Sequence, residues 1–323
     1  MATIKDVARE AGVSTATVSR VLNKSGYMSE EAVNKVNKAM ETLSYHPNAV
    51  ARSLVRGKHN SIGVIFPNLS IPFWAELESE LERVAERKGY SLMLAVAPND
   101  ADAYIEKFES MRARMPDGII TCYVKDTEDY IHNSETATVI LGNTSYGPSV
   151  SSNDEQGGLL AAKHLIAKGC KNIVHISGEL GSRSSANART YAFMKECEKE
   201  HITYKVYETK RSQYLKMDFE SVISNVFYEN EHFDGIFASN DILAAHCVAT
   251  ALSLGYRIPE DIRIVGYDDI SLSRLIYPSL TTIHQDNTKL AEIAVETLLK
   301  ELEGEEVPDK QVLPVRLIER KTT

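Results

Sequence analysis

IKDVAREAGVSTATVSRVLN, residues 4–23, decides how the first part of the chain folds. Ile4, Val7, Ala8 and Ala11 recur at helical spacing and mark one face of a first helix. Gly12 can end that helix in a left-handed conformation, and Ser14 can cap a second one whose Val18, Val21 and Leu22 turn inward. Two short helices across a tight Gly-containing turn make a helix-turn-helix. A third helix is expected from near Ser29, with Glu30 and Glu31 at its positive end and Val33, Val36, Met40 and Leu43 on its buried face. Three helices of this length just close a small core over residues 1–46. Thr15, Ala16 and Thr17 are left facing outward at the start of the second helix, with Arg20 one turn later. In a recognition helix the N-terminal residues reach base edges, and an Arg can give guanine O6 and N7 two hydrogen bonds. Thr17 and Ser19 have the chemistry to hold phosphates.

Outward from this head, residues 47–60 read as a hinge and linker. In PNAVARSLVRG, residues 47–57, Asn48 can cap a little over two turns from Ala49 to Val55, and Gly57 can end them. A helix that short is marginal alone in water. It is expected to order only against a docked partner, such as a second copy of itself and a nucleic-acid groove; an ordinary interdomain linker is the plain alternative.

Charge separates the two sides of this hinge. Residues 1–60 carry nine Lys or Arg against five Asp or Glu, a net of +4, so a chain with an overall charge of -9 carries -13 in the remainder. A basic head on an acidic body is the distribution expected when only the head meets phosphates. Cys122, Cys170, Cys197 and Cys247 form no CxxC pair and suit a reduced cytosol better than a disulfide framework or a zinc site. The N-terminus lacks the apolar run of a signal peptide, and no stretch is long enough to span a bilayer, which points to the cytoplasm.

From residue 61 short apolar runs alternate with amphipathic helical stretches. SIGVIF, SLMLAV, DGIIT and TVILG, with helices between them, describe a parallel, helix-covered sheet. After Asp154 the alternation restarts through NIVHIS, YKVYE, GIFAS and IRIVGYDD, predicting a second doubly wound α/β lobe. The first lobe is expected over about 61–160 plus 290–323, with the closing segment VLPVRLIE returning to it, and the second over about 161–289. Ligands bind at the carboxyl ends of parallel strands, so two such lobes enclose a cleft. Candidates at those ends are Asn68, Phe73 and Trp74 on the first lobe, and Asn240, Asp241 and Asp268 on the second. Asp241 and Asp269 can equally be caps or core hydrogen-bond partners.

No GxSxG elbow, GxxxxGK[ST] loop, HExxH or GxGxxG is present, and His175 in NIVHIS reads as a strand residue rather than a base. An enzyme is therefore not expected, nor a metal or other cofactor. A small-molecule binding protein without DNA function would account for the body but leave the first 57 residues without purpose.

IKDVAREAGVSTATVSRVLN, PNAVARSL, SIGVIFPN and VGYDDISLSRLIYPSLTTIHQD together resemble the lactose/galactose repressor family of bacterial transcription regulators, from the head nearly to the end of the chain. The resemblance implies a core similar to periplasmic sugar-binding proteins and a head in which Thr15, Ala16 and Arg20 read the major groove. It also implies paired hinge helices in the minor groove, with Asn48, Arg52 and Val55 at the DNA and Leu54 as a wedge that opens the central base step. In the core it gives Arg189 the part of an effector clamp, places Phe73 and Trp74 against ligand, and carries over Gln156, Tyr214, Asn240, Asp268 and Asn287. Ala192 departs from a frequent Gly, which bears on close helix packing. The implied protein is a homodimer, lacking the leucine-heptad tail of tetrameric members, that represses carbohydrate-utilisation genes at a palindromic operator under a sugar or sugar-phosphate effector. A purine effector is the alternative.

Overall fold

The computed structural model describes residues 2–23, 28–45, 59–97, 100–144, 146–181, 186–229 and 232–323, in two compact units, 1–59 and 60–323. The hinge candidates Asn48, Arg52, Leu54 and Val55 lie outside the described residues.

In the first unit, α1 (Ile4–Ala11) starts in a reciprocal cap: Asp6 N–H donates to Thr3 Oγ1 at 3.4 Å and Thr3 N–H to Asp6 Oδ2 at 2.9 Å. Gly12 ends it at φ 65°, a conformation a side chain would strain. Ser14 Oγ then accepts from Thr17 N–H at 3.0 Å at the start of α2 (Thr15–Asn23), and Ser29 caps α3 (Glu30–Thr42). Val7, Ala8, Ala11, Val18, Val36 and Ala39 close the core, with Val21, Leu22, Met40 and Leu43 packed against it. Ala39, rather than the half-buried Val33, faces inward, because the face of α3 lies one residue round from its expected centre.

The second unit contains two six-stranded sheets. The first is ordered β11-β5-β4-β3-β1-β2, built from β1 (Ser61–Phe66), β2 (Ser91–Val96), β3 (Gly118–Cys122), β4 (Thr138–Leu141), β5 (Ser149–Ser152) and β11 (Lys310–Leu313), all parallel. β6 (Asn172–Ser177), β7 (Thr203–Glu208), β8 (Gly235–Ala238), β9 (Arg263–Asp268), β10 (Thr281–His284) and β12 (Arg316–Ile318) form the second, ordered β12-β10-β9-β8-β6-β7, with only β12 antiparallel. Runs such as Ser61–Phe66 are buried throughout, as strands covered by helices on both faces must be.

The chain changes lobe three times: after Ser152, after His284 and after Leu313. Two of these crossings correct the expected boundaries. Helix Asp154–Ala167 packs on helix Asn187–Lys199 and belongs wholly to the second lobe. The closing segment is also split rather than returning whole to the first lobe. Pro314 has no N–H for a strand ladder and breaks the run, so β11 pairs with β5, whereas β12 pairs with β10 and the Thr322 hydroxyl donates to the Ile264 carbonyl at 2.7 Å. Among the described residues no helix is long and apolar enough to cross a membrane, and no three His, Cys, Asp or Glu side chains cluster as metal ligands.

Candidate functional site

On the head, the start of α2 faces solvent. Val18 is fully buried beneath it, which leaves Thr15, Ala16 and Arg20 exposed. The Thr17 hydroxyl lies 2.9 Å from Ser14 Oγ, so it helps to build the helix start.

In the core, a cavity of about 320 Å³ lies where the carboxyl ends of the two sheets meet. Six of the sequence candidates line it: Phe73, Trp74, Arg189, Tyr214, Asn240 and Asp268. The two lobes contribute differently. Phe73, Trp74, Leu77, Leu141, Val150 and Leu290 give the first lobe an apolar wall, and Phe73 and Trp74 meet edge to face with ring centroids 4.9 Å apart. Facing them, the second lobe supplies Asp154, Arg189, Asn240, Asp268 and Gln285.

Arg189, in the first turn of helix Asn187–Lys199, is the centre of the polar wall. Its Nε and Nη2 donate to Asp154 Oδ1 at 2.9 and 2.5 Å, Nη1 donates to the Ser239 carbonyl at 2.6 Å, and the guanidinium lies 3.5 Å from the centre of the Tyr267 ring. Burial alone would lower its pKa, but Asp154 raises it and the group stays charged. The Tyr267 hydroxyl also donates to Asp154 Oδ1, at 3.1 Å. Close helix packing permits this arrangement: a Cβ at Gly158 would overlap the Arg189 carbonyl, and one at Gly157 would overlap the Tyr267 ring. These glycines on the facing helix preserve the close approach with Ala192 in place.

Asp268 ends β9 at φ 111°, followed by Asp269 at φ 56°, a turn that non-glycine residues adopt only when their surroundings hold them there. The holder is Asp241, fully buried at the start of helix Asp241–Ser253. It accepts from the Ile270 N–H at 2.9 Å and the Thr282 hydroxyl at 2.5 Å. The two neighbouring carboxyls then diverge. Burial pushes the Asp268 carboxyl well above the usual range against the pull of Arg189, and it accepts from Gln285 Nε2 at 2.7 Å at the cavity. Asp269 faces away; burial would raise it, but His284, at 2.9 Å, and Arg320 pull it down to about 2.

Three candidates do not line the cavity. Asn68 Nδ2 donates across the cleft to the Leu215 carbonyl at 2.7 Å. Gln156 Oε1 accepts from Val315 N–H at 3.0 Å and fixes the third crossing, and Asn287 begins helix Asn287–Leu302 with its Oδ1 buried. A second bond between the lobes joins Ser271 N–H to Glu76 Oε1 at 2.9 Å. Sequence reasoning missed Asp154, Ser152, Glu76 and Gln285. Asp154 follows the end of β5, so the strand-end rule that found Asp268 could have found it.

The head and this two-walled core match known proteins in the same order along the chain. Residues 3–48 match the model for bacterial regulatory proteins of the lacI family, and residues 162–323 the periplasmic binding protein-like domain. The ribose operon repressor of Halalkalibacterium halodurans is 34% identical over 100% of this chain and 97% of its own length. The chain belongs to the lacI family. Other relatives of this lacI-family regulator are the sucrose operon repressor of Streptococcus mutans, 35% identical over 98% of both chains, and the transcriptional repressor PurR of Haemophilus influenzae, 34% identical over 94% of this chain and 91% of its own. A solved structure of the Lac repressor dimer bound to operator and an anti-inducer superposes with a TM-score of 0.87, at 29% identity over 99% of this chain and 98% of that one. The protein is thus a DNA-binding transcriptional repressor, and its relatives are repressors, not enzymes.

Proposed function

We propose that this lacI-family repressor acts as a cytoplasmic homodimer on a palindromic operator of carbohydrate-utilisation genes and is switched by a sugar or sugar phosphate bound between its lobes. The observation that carries the reading is the cavity, in which an aromatic wall faces the Arg189, Asp154 and Asp268 cluster beneath cross-lobe bonds. An apolar face with hydrogen-bonding groups opposite it suits a sugar ring. Thr15, Ala16 and Arg20 would read base edges, Thr17 and Ser19 would touch phosphates, and Asn48, Arg52, Leu54 and Val55 would engage the minor groove. Leu275 and Tyr277, 79% and 82% exposed, offer apolar surface for a second copy to cover.

In this mechanism the effector binds one state of lobe closure better than the other, and the same closure sets the geometry of the paired heads. Effector and operator affinities are then linked reciprocally. A hundredfold change in operator affinity requires a coupling of about 2.7 kcal/mol. The test is fluorescence anisotropy of a labelled palindromic duplex titrated with protein at several salt concentrations, with and without a panel of sugars and sugar phosphates. Salt-dependent binding that one of these compounds shifts is the expected result. Duplex binding that none of them shifts would remove the effector reading.

A further inference from the structure

The loop that joins β9 to β10, residues 269–280, starts beside the cavity and runs out to the exposed Leu275 and Tyr277. Asp268 lines the cavity just before it, Ile270 N–H is held by the buried Asp241, and Ser271 N–H reaches Glu76 on the first lobe. Further along, Leu275 and Tyr277 are the side chains offered to a second copy. The two ends of this loop therefore serve different purposes, and the residue that joins them comes from the far end of the chain.

Arg320 follows β12, and its side chain is 14% exposed. Its Nη2 donates to Asp269 Oδ1 at the start of the loop. Nη1 donates to the Ser273 hydroxyl in the middle at 3.0 Å and to the Leu280 carbonyl at the end at 2.7 Å. The Ser273 hydroxyl donates in turn to Asp269 Oδ1 at 3.1 Å. The backbone holds the guanidinium in place: Arg320 N–H donates to Thr281 Oγ1 and Lys321 N–H to the Ser279 carbonyl, each at 2.9 Å. One planar cation thus ties three parts of the loop, which the single nitrogen of a Lys could not span. Arg274, 3.7 Å from Asp269, is 65% exposed and belongs to the loop itself, so it cannot anchor the loop to anything else. The turn needs an anchor, because Asp268 and Asp269 both hold positive φ without being glycine.

We propose that Arg320 is a positioning residue that links the cavity to the pairing surface: it holds residues 269–280 as one piece, so that covering Leu275 and Tyr277 with a second copy also firms the turn that aims Asp268 into the cavity. This rests on the homodimer reading above and deepens it.

The experiment uses the full-length protein without ligand. Sedimentation equilibrium gives the dimer dissociation constant, and amide hydrogen exchange gives the opening of Ile270 and Ser271, with β1 and β8 as internal references. Arg320→Met should raise the dissociation constant about tenfold and speed exchange at Ile270 and Ser271 about tenfold, with β1 and β8 close to the parent. Arg320→Lys keeps the charge and should recover only part of both effects. In the converse arm, Leu275→Glu on the exposed surface should separate the copies and speed exchange at Ile270 and Ser271 about threefold, yet add nothing to it in the Arg320→Met background. Should Arg320→Met not fold, Ser273→Ala removes one hydroxyl from the cluster and makes the same test with a smaller effect in the same direction. An unchanged dissociation constant in these variants, or unchanged exchange at Ile270 and Ser271, overturns the proposal and leaves the homodimer standing. Faster exchange spread evenly over the second lobe overturns it as well, since Arg320 would then support the fold alone. A parent protein that is monomeric at micromolar concentration removes the homodimer reading, and the proposal with it.

Discussion

The two lobes repeat one architecture, a six-stranded sheet covered by helices, yet they bring opposite chemistry to the cavity between them. The first lobe presents rings and aliphatic side chains whose contact with a ligand scales with area. The second presents an ion pair, a carboxyl raised by burial and amide groups, which act through fixed geometry. Neither wall could select a sugar alone: an apolar face holds many flat molecules, and a polar cluster left facing water would gain little from its hydrogen bonds. The difference also assigns stability and recognition to different places. Charges buried without ligand must satisfy one another within the second lobe, whereas the apolar wall needs no internal partner.

Breaking the polar wall should therefore have the largest effect. Arg189→Met leaves Asp154 buried without its cation, and urea unfolding should show a loss of about 3–5 kcal/mol, together with loss of effector response. Phe73→Leu on the opposite wall should cost about 0.5–1.5 kcal/mol of binding, read by titration, and leave the unfolding midpoint much closer to the parent's. If the two variants were equally destabilised, the division between the walls would fail.

The cross-lobe bonds give a smaller effect that sharpens the comparison. Asn68→Ala and Glu76→Ala each remove a link worth about 0.5–1.5 kcal/mol, a few-fold in an equilibrium constant. Because these links join the walls rather than build either one, effector and operator affinities should both move, with little change in global stability. Fluorescence titration and anisotropy on the same variants check this; a change confined to melting temperature would make the links merely structural.

The contrast extends to pH, where the two adjacent carboxyls have opposite signs. Asp269, held down to about 2, contributes stability that is present above its unfolded pKa near 3.9 and lost as pH falls from about 4 toward 2. Asp268, held up by burial, favours the fold in its neutral form, and that contribution fades as pH rises through its folded pKa. Asp268→Asn should remove the fall in stability that sets in above about pH 4 and ends at the raised folded pKa, and leave the loss below pH 4 intact, as measured by thermal melts across pH.

How much of this was legible in the sequence follows from how local each feature is. Gly12 and Ser14 announce the turn between α1 and α2, and helix Asn287–Leu302 could be bounded at both ends, because caps and periodicity act within a few residues. Arg189, Trp74 and Asp268 were reachable through strand ends and resemblance. Asp154 lies within reach of the same strand-end rule, but its partner is 35 residues away and an Asp after a strand looks like any cap, so its place beside Arg189 was not visible. Ser152 belongs to a strand reading SVSS, where nothing local shows which hydroxyls will line the cavity. Asn68 was singled out for the ligand and instead bonds a carbonyl 147 residues away. The tail was misassigned because VLPVRLIE reads as one segment until Pro314 is weighed as a break between two sheets.

The most direct test of the account is reciprocity. The affinity of the full-length protein for an effector sugar would be measured through the emission of Trp74, the single tryptophan of the sequence, which lines the cavity, first alone and then saturated with operator duplex, beside the operator affinity with and without that sugar. The account predicts that the two ratios agree, each changed by the same factor. A sugar affinity that operator leaves untouched would contradict it, for the cavity would then be a binding site without a switch.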